Sequence, residues 1–127
     1  MKSLREKLGI KNGDIILILN EPENYSQIVD LSGTAEKHNK DELADFIHYF
    51  AESESQVARD FQRLKNSLGK NGMLWISWPK KSSGVVTDLD DNKIRDIGLA
   101  FGLVDVKVCS IDDIWSALKF VYRVKNR

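Results

Sequence analysis

The densest group of side chains able to do chemistry is Trp78-Pro79-Lys80-Lys81-Ser82-Ser83-Gly84. Two ammonium groups, two hydroxyls and a glycine that permits close approach are the parts of an anion cradle for a phosphate or carboxylate. The order is not that of a Walker loop, because the glycine-rich lead and the GK[ST] sequence are missing. The same residues also suit a solvated loop in which Asp112 or Asp113 pairs with a lysine. A second polar segment, Ser110 to Trp115, offers Asp112 and Asp113 to orient a ligand and Trp115 as a stacking plate. A turn of this composition serves structure too, the aspartate accepting backbone amides and the tryptophan packing on a sheet edge. Asn20-Glu21 is the third polar segment of interest, and Trp78 is the aromatic expected to border a pocket.

No catalytic residue stands out. His48 lies between Ile47 and Tyr49 in an apolar run and reads as a satisfied core histidine rather than a general base. His38 falls in a polar stretch. Neither histidine has a Cys, His or carboxylate at metal-ligand spacing, so no metal is expected. Cys109 reads as a small core residue, and Trp75 as core. Thr87 and Asp88 read as a helix cap. No GxSxG signature is present.

The elements that must carry these residues follow from periodicity. Ser3 and Glu6 fit a capping box for a short helix bearing Leu4 and Leu8, broken by Gly9 and Asn12-Gly13. Asp14 to Leu19 and Ala44 to Phe50 are nearly continuous apolar runs, which suit strands buried on both faces. Pro22 suits the first turn of a helix reaching Leu31, with Tyr25, Ile28 and Val29 inward. Residues 32–43 are polar, with room for a short edge strand near Thr34 to Lys37.

Ser53 and Gln56 fit a second capping box. Val57, Phe61, Leu64 and Leu68 form a helix stripe that Gly69 and Gly72 stop. Met73 to Trp78 is the third strand. Ile94, Ile97 and Phe101 mark one side of a further helix, ended by Gly102. Val104, Val106 and Val108 alternate on a fourth strand. Leu118, Phe120, Tyr122 and Val124 alternate in Ala117 to Val124. The short link Ser110 to Ser116 is too small for a parallel crossover, so the last strands pair antiparallel. The expectation is a single three-layer α/β/α Rossmann-like domain over residues 1–127, mostly parallel with an antiparallel C-terminal hairpin strand. In such sheets ligands bind outside the carboxyl ends of the strands, where the three polar segments converge.

Bulk composition narrows the function classes. The 127 residues hold 19 Lys+Arg against 19 Asp+Glu, a formal net charge of zero, which argues against bulk nucleic-acid affinity. The single cysteine excludes an internal disulfide and suits a reducing compartment. No apolar run approaches the ~20 residues of a membrane span, and the charged start predicts no export signal. Cytoplasm is the expected location.

Leu64 to Leu74 (LKNSLGKNGML), followed by strand, helix, strand and antiparallel last strand, resembles the late half of a class I methyltransferase-type Rossmann domain. Nearly the whole chain resembles a family of short bacterial proteins of methyltransferase-like, truncated topology with no established activity. The shared phrases are LGIKNGDIILILNEP, LWISWPKKSSGVVTDL and GLVDVKVCSIDDIWSALKF. The resemblance implies a glycine-rich turn after the first strand and a carboxylate ending the second, which hold S-adenosylmethionine. Here the first strand ends Leu19-Asn20-Glu21-Pro22-Glu23-Asn24, without glycine and with two carboxylates that would repel the cofactor's own. No clear second strand with an acidic end is visible. S-adenosylmethionine is therefore not an expected cofactor.

The expectation is a non-enzymatic ligand-binding or protein-interaction domain, with a small anion at Lys80 to Gly84, a protein partner or a second copy as occupants. The alternatives are an enzyme, either a degenerate methyltransferase or one using another nucleotide-like ligand, and a nucleic-acid-associated protein. A basic stripe spanning Lys80, Lys81, Lys107 and Lys119 would favour the last.

Overall fold

The computed structural model describes residues 2–127. Helix α1 (Leu4–Leu8) is held by the reciprocal Ser3–Glu6 capping box and stopped by Gly9 at φ 82°. Strand β1 (Ile15–Leu19) follows, then a single turn α2 (Tyr25–Ile28), the two-residue strand β2 (Ala35–Glu36) and strand β3 (Ala44–Phe50). Helix α3 (Glu54–Ser67) leads into β4 (Leu68–Pro79), α4 (Asp91–Ala100), β5 (Leu103–Ser110) and β6 (Trp115–Tyr122). The six strands lie in the order β2-β1-β3-β4-β6-β5. Pairings among β2, β1, β3 and β4 are parallel, and β6 is antiparallel to both β4 and β5.

Two apolar layers flank the sheet. On one face α3 and α4 bury Val57, Phe61, Leu64 and Ile94 against Ile47, Tyr49, Leu74, Ile76, Leu118 and Phe120. On the other, α1 and α2 bury Leu8 and Tyr25 against Ile16, Phe46, Phe50 and Trp75. The architecture is thus three-layered, with a much thinner cover on the second face. No helix of the described residues is long and apolar enough to cross a membrane.

Several boundaries differ from the sequence expectation. The helix after Pro22 is one turn rather than a run to Leu31, because Val29 is already extended (φ −124°, ψ 121°) and the chain turns into β2. Leu68 is not the last rung of the α3 stripe: it is extended and opens β4. Gly69 and Gly72 do not end the helix. They sit in the irregularity where Ala44 pairs with Leu68 but Phe46 pairs with Met73. A Cβ on Gly72 would stand 2.9 Å from the Ala44 carbonyl oxygen.

The caps differ as well. Ser53 Oγ accepts from the Gln56 amide, but the Gln56 side chain turns to the Glu52 amide, so the box is not reciprocal. Asp90, not Thr87 or Asp88, caps α4 through the Lys93 amide. Asp88 instead accepts from the Glu54 amide, and Thr87 donates to the Glu52 carbonyl. Val104, Val106 and Val108 do not share one face as expected: the irregularity between Asp105 and Lys107 sets Val104 opposite Val121 but Val108 opposite Leu118, and Val106 and Val108 are each 54% exposed on this outer strand. The last strand ends at Tyr122, short of Val124, which is exposed.

Candidate functional site

Parallel strands β1, β3 and β4 deliver their carboxyl ends to one edge of the sheet, at Leu19, Phe50 and Pro79. Strand β5 runs in the same sense as β4, since β6 is antiparallel to both, so Ser110 reaches the same edge. The three polar segments of the sequence reading therefore meet along it.

Asn20 leaves β1 in the left-handed region (φ 59°), a conformation asparagine tolerates better than most residues. Its side-chain amide donates to the Phe50 carbonyl at 3.3 Å, spanning the ends of β1 and β3. Glu21 is exposed beside it. The second strand does exist, and Glu36 ends it. Yet Glu36 pairs with Ile16, well before β1 finishes at Leu19. That carboxylate stops short of the carboxyl edge.

The lysine loop is partly committed. Lys80 Nζ donates to Ser110 Oγ and to the Asp112 carbonyl, each at 2.6 Å, and its amide donates to the Ile114 carbonyl at 2.7 Å. Lys81–Ser83 form one 3₁₀ turn closed by Gly84 at φ 80°. Ser83 Oγ donates to the Lys80 carbonyl, while Lys81 and Ser82 are exposed. In the hairpin, Asp112 Oδ1 accepts from the amides of Ile114 and Trp115 at 2.9 and 2.8 Å, and Asp113 is exposed. Trp115 stands edge-on to Phe50 with ring centroids 5.0 Å apart. Trp78 faces the other way, into the α3/α4 layer, and is buried. The edge thus half-buries Lys80, Asp112 and Trp115, ties the exposed Asn20 to β3 through its side chain, and leaves Glu21, Lys81, Ser82 and Asp113 to solvent. Among the described residues no cavity opens there.

Two buried polar groups escaped the sequence reading as sets. On the α1/α2 face, His48 Nδ1 is 2.8 Å from Tyr25 Oη and Nε2 is 2.7 Å from Ser77 Oγ. All three side chains are essentially inaccessible. Burial holds His48 down to about 3 and raises the Tyr25 phenol, with Glu21 adding to the latter. The order of hydroxyl, imidazole and second hydroxyl imitates a nucleophile, base and orienter. Ser77 nevertheless lies inside β4, with β3 and β6 on either side, and no substrate atom reaches it. On the α3/α4 face, Tyr49 Oη donates to Asp60, which also meets Arg59 and Arg63. Those contacts, led by Arg59, hold the Asp60 carboxyl low. The sequence marks Tyr25 and the strand carrying His48 and Tyr49 as inward, but only the fold shows what they touch, and Asp60 lies outside the helix stripe that periodicity picks out. Among the described residues no group of His, Cys, Asp or Glu is arranged to hold a metal, and Cys109 is buried.

No protein-family model and no curated protein sequence matches this chain. Solved structures do. DhpI in complex with SAH matches at TM-score 0.61 and 9% identity, over 94% of this chain and 82% of that one. The fibrillarin pre-rRNA processing protein of Methanococcus jannaschii matches at TM-score 0.58 and 14% identity, over 88% and 67%. LepI, with SAH and a substrate analogue, matches at TM-score 0.56 and 16% identity, over 94% of this chain but 39% of LepI. The chain thus spans well under half of LepI. Identities this low carry the fold alone: a methyltransferase-like Rossmann domain.

Proposed function

We propose that this methyltransferase-like domain is a non-enzymatic binding module whose cofactor edge is closed. One observation carries the reading: the Asn20 side chain reaches the Phe50 carbonyl across the ends of β1 and β3. In the class I methyltransferases that gap belongs to a glycine turn and the cofactor's amino-acid end. An asparagine side chain there, with Glu21 and Glu23 following, does not fit a carboxylate-bearing cofactor. The short β2 adds to this, since Glu36 falls short of the edge. The apolar side chains beside the closed edge suit a protein partner. Val86 is 94% exposed, Val85 39% and Ile114 43%. A small anion would rest on Lys81 and Ser82, the loop groups left free of the hairpin. The same reading sets the module in the cytoplasm.

The second reading is an enzyme that retains S-adenosylmethionine. It is favoured by neighbours whose structures contain SAM or SAH. A titration of the purified chain with S-adenosylmethionine and S-adenosylhomocysteine separates the two, followed by thermal shift and equilibrium dialysis. A ligand that binds only the native state raises the melting temperature. The binding-module reading expects no shift and no retained ligand at millimolar concentration. Saturable binding of either compound would replace it with the enzyme reading.

A further inference from the structure

The stripe Lys80, Lys81, Lys107 and Lys119 does not form. Lys80 is tied to the hairpin at the carboxyl edge. Lys107 and Lys119 instead sit directly opposite each other on β5 and β6, on the α1/α2 face. Directly opposed residues have Cβ atoms only about 5 Å apart, and like charges so placed destabilise a sheet. Lys11 follows α1, whose end supplies the Lys7 carbonyl that accepts from Lys107 Nζ, and the charges of Lys107 and Lys11 both act on Lys119. Burial first and these two ammonium groups second hold Lys119 below the usual lysine range.

No ion pair among the described residues involves Lys11, Lys107 or Lys119. Asp14 accepts the Lys11 backbone amide rather than its ammonium group. Asp105, the acid closest in sequence to Lys107, faces the opposite side and pairs with Arg95 at 2.8 Å. The local contacts of the lysines leave donors spare. Lys107 Nζ donates once, to the Lys7 carbonyl at the end of α1. Lys119 Nζ stands 6.0 Å from the Trp75 ring centroid, a weak cation–π contact. An ammonium group has three donors, so each keeps free capacity.

A chain with zero net charge that sets two lysines directly opposite each other, with a third whose charge reaches them, carries a repulsion that folding does not require. We infer that Lys11, Lys107 and Lys119 form a binding site for a small multivalent phosphate, such as the polyphosphate of a nucleotide. The directly opposed pair is compact rather than a long stripe, which suits one di- or triphosphate better than an extended nucleic-acid backbone. It is also separate from the carboxyl edge: Lys119 pairs with Trp75, four residues up β4 from Pro79, about 13 Å along the strand.

The test is calorimetry and thermal shift of the purified chain at low salt with inorganic tripolyphosphate, ATP and a short single-stranded RNA. Lys11→Gln, Lys107→Gln and Lys119→Gln are compared with Lys37→Gln, a control at the far side of the sheet. The site predicts saturable tripolyphosphate binding, weakened roughly threefold or more by each cluster substitution and unchanged by the control. It also predicts that at least Lys11→Gln, an exposed loop position, melts no lower than the parent without anion, because a repulsion has been removed. Tighter binding of RNA than of tripolyphosphate, with the same variant dependence, would reassign the phosphate to a nucleic-acid source and overturn the small-ligand inference. Absent binding, or binding equal in the cluster variants and the control, would overturn it outright.

Discussion

His48 Nε2 lies 2.7 Å from Ser77 Oγ in the middle of the sheet, with both side chains fully buried. Because Tyr25 Oη occupies the other ring nitrogen at 2.8 Å, the imidazole is satisfied at both ends and α2 is pinned to β3. His48→Ala would leave a phenol and a hydroxyl unpartnered in the core and a void beneath them. The expected cost is about 3 kcal/mol or more. Tyr25→Phe leaves only one ring nitrogen unpaired, an expected loss of about 1–3 kcal/mol. Urea unfolding of both variants and their combination measures the coupling, which should be large for groups in one network.

The same histidine makes stability depend on pH in a defined direction. In the fold it titrates near 3, whereas an ordinary histidine titrates near 6.5. Between these values the unfolded chain binds a proton that the native chain does not. Stability is therefore complete above about 6.5 and falls as pH drops toward 3, by up to about 1.4 kcal/mol per pH unit from this group. Asp60, whose carboxyl is held low by Arg59, loses its contribution only deeper in the acid range, below the ordinary aspartate range. Denaturant titrations from pH 7 to pH 3.5 on the parent and His48→Gln isolate the histidine: the variant should show the shallower slope above pH 5.

The parallel strands are legible in the sequence because a strand buried on both faces must be apolar at almost every position, and Ile15 to Leu19 and Ala44 to Phe50 are. The antiparallel ending is legible for a different reason, the shortness of the link from Ser110 to Ser116. What stays hidden are consequences of contacts made far along the chain. Lys80 meets Ser110 and Asp112, 30 and 32 residues away, and no local pattern reveals that. The alternation of Val104, Val106 and Val108 specifies a strand, but whether a neighbour covers its outer side depends on sheet order, which places β5 last. The helix after Pro22 is cut to one turn by the need to reach β2, a tertiary demand that overrides a favourable start.

Gly98 shows how tightly α4 is seated. A Cβ at that position would overlap the Phe120 ring, which itself packs edge-on to Phe61 at 5.5 Å. In an exposed helix Gly→Ala would stabilise by up to about 1 kcal/mol. Here overpacking wins, and Gly98→Ala should destabilise by about 1–3 kcal/mol. Phe120→Leu alone should also destabilise, but combined with Gly98→Ala it should recover part of the loss. Additive losses in the double variant would show that α4 does not rest on Phe120.

Lys80 is the residue on which the anion-cradle and hairpin-anchor roles part company. Its ammonium holds Ser110 Oγ and the Asp112 carbonyl, and its backbone amide holds the Ile114 carbonyl. The end of β4 is thereby tied to a turn that Asp112 closes on itself. Lys80→Met keeps the aliphatic stem and the backbone bond but removes both ammonium contacts. Partly exposed bonds of this kind contribute about 1 kcal/mol together. The chain should stay folded and lose stability on that scale. Amide exchange should quicken at Ile114 and Trp115, the residues whose amides Asp112 holds, and stay unchanged in β1 and β3. Lys81→Met makes no such contact and should leave exchange in the hairpin as it was. Equal exchange in Lys80→Met and the parent would mean the ammonium does not anchor the turn and is free for a ligand at the edge.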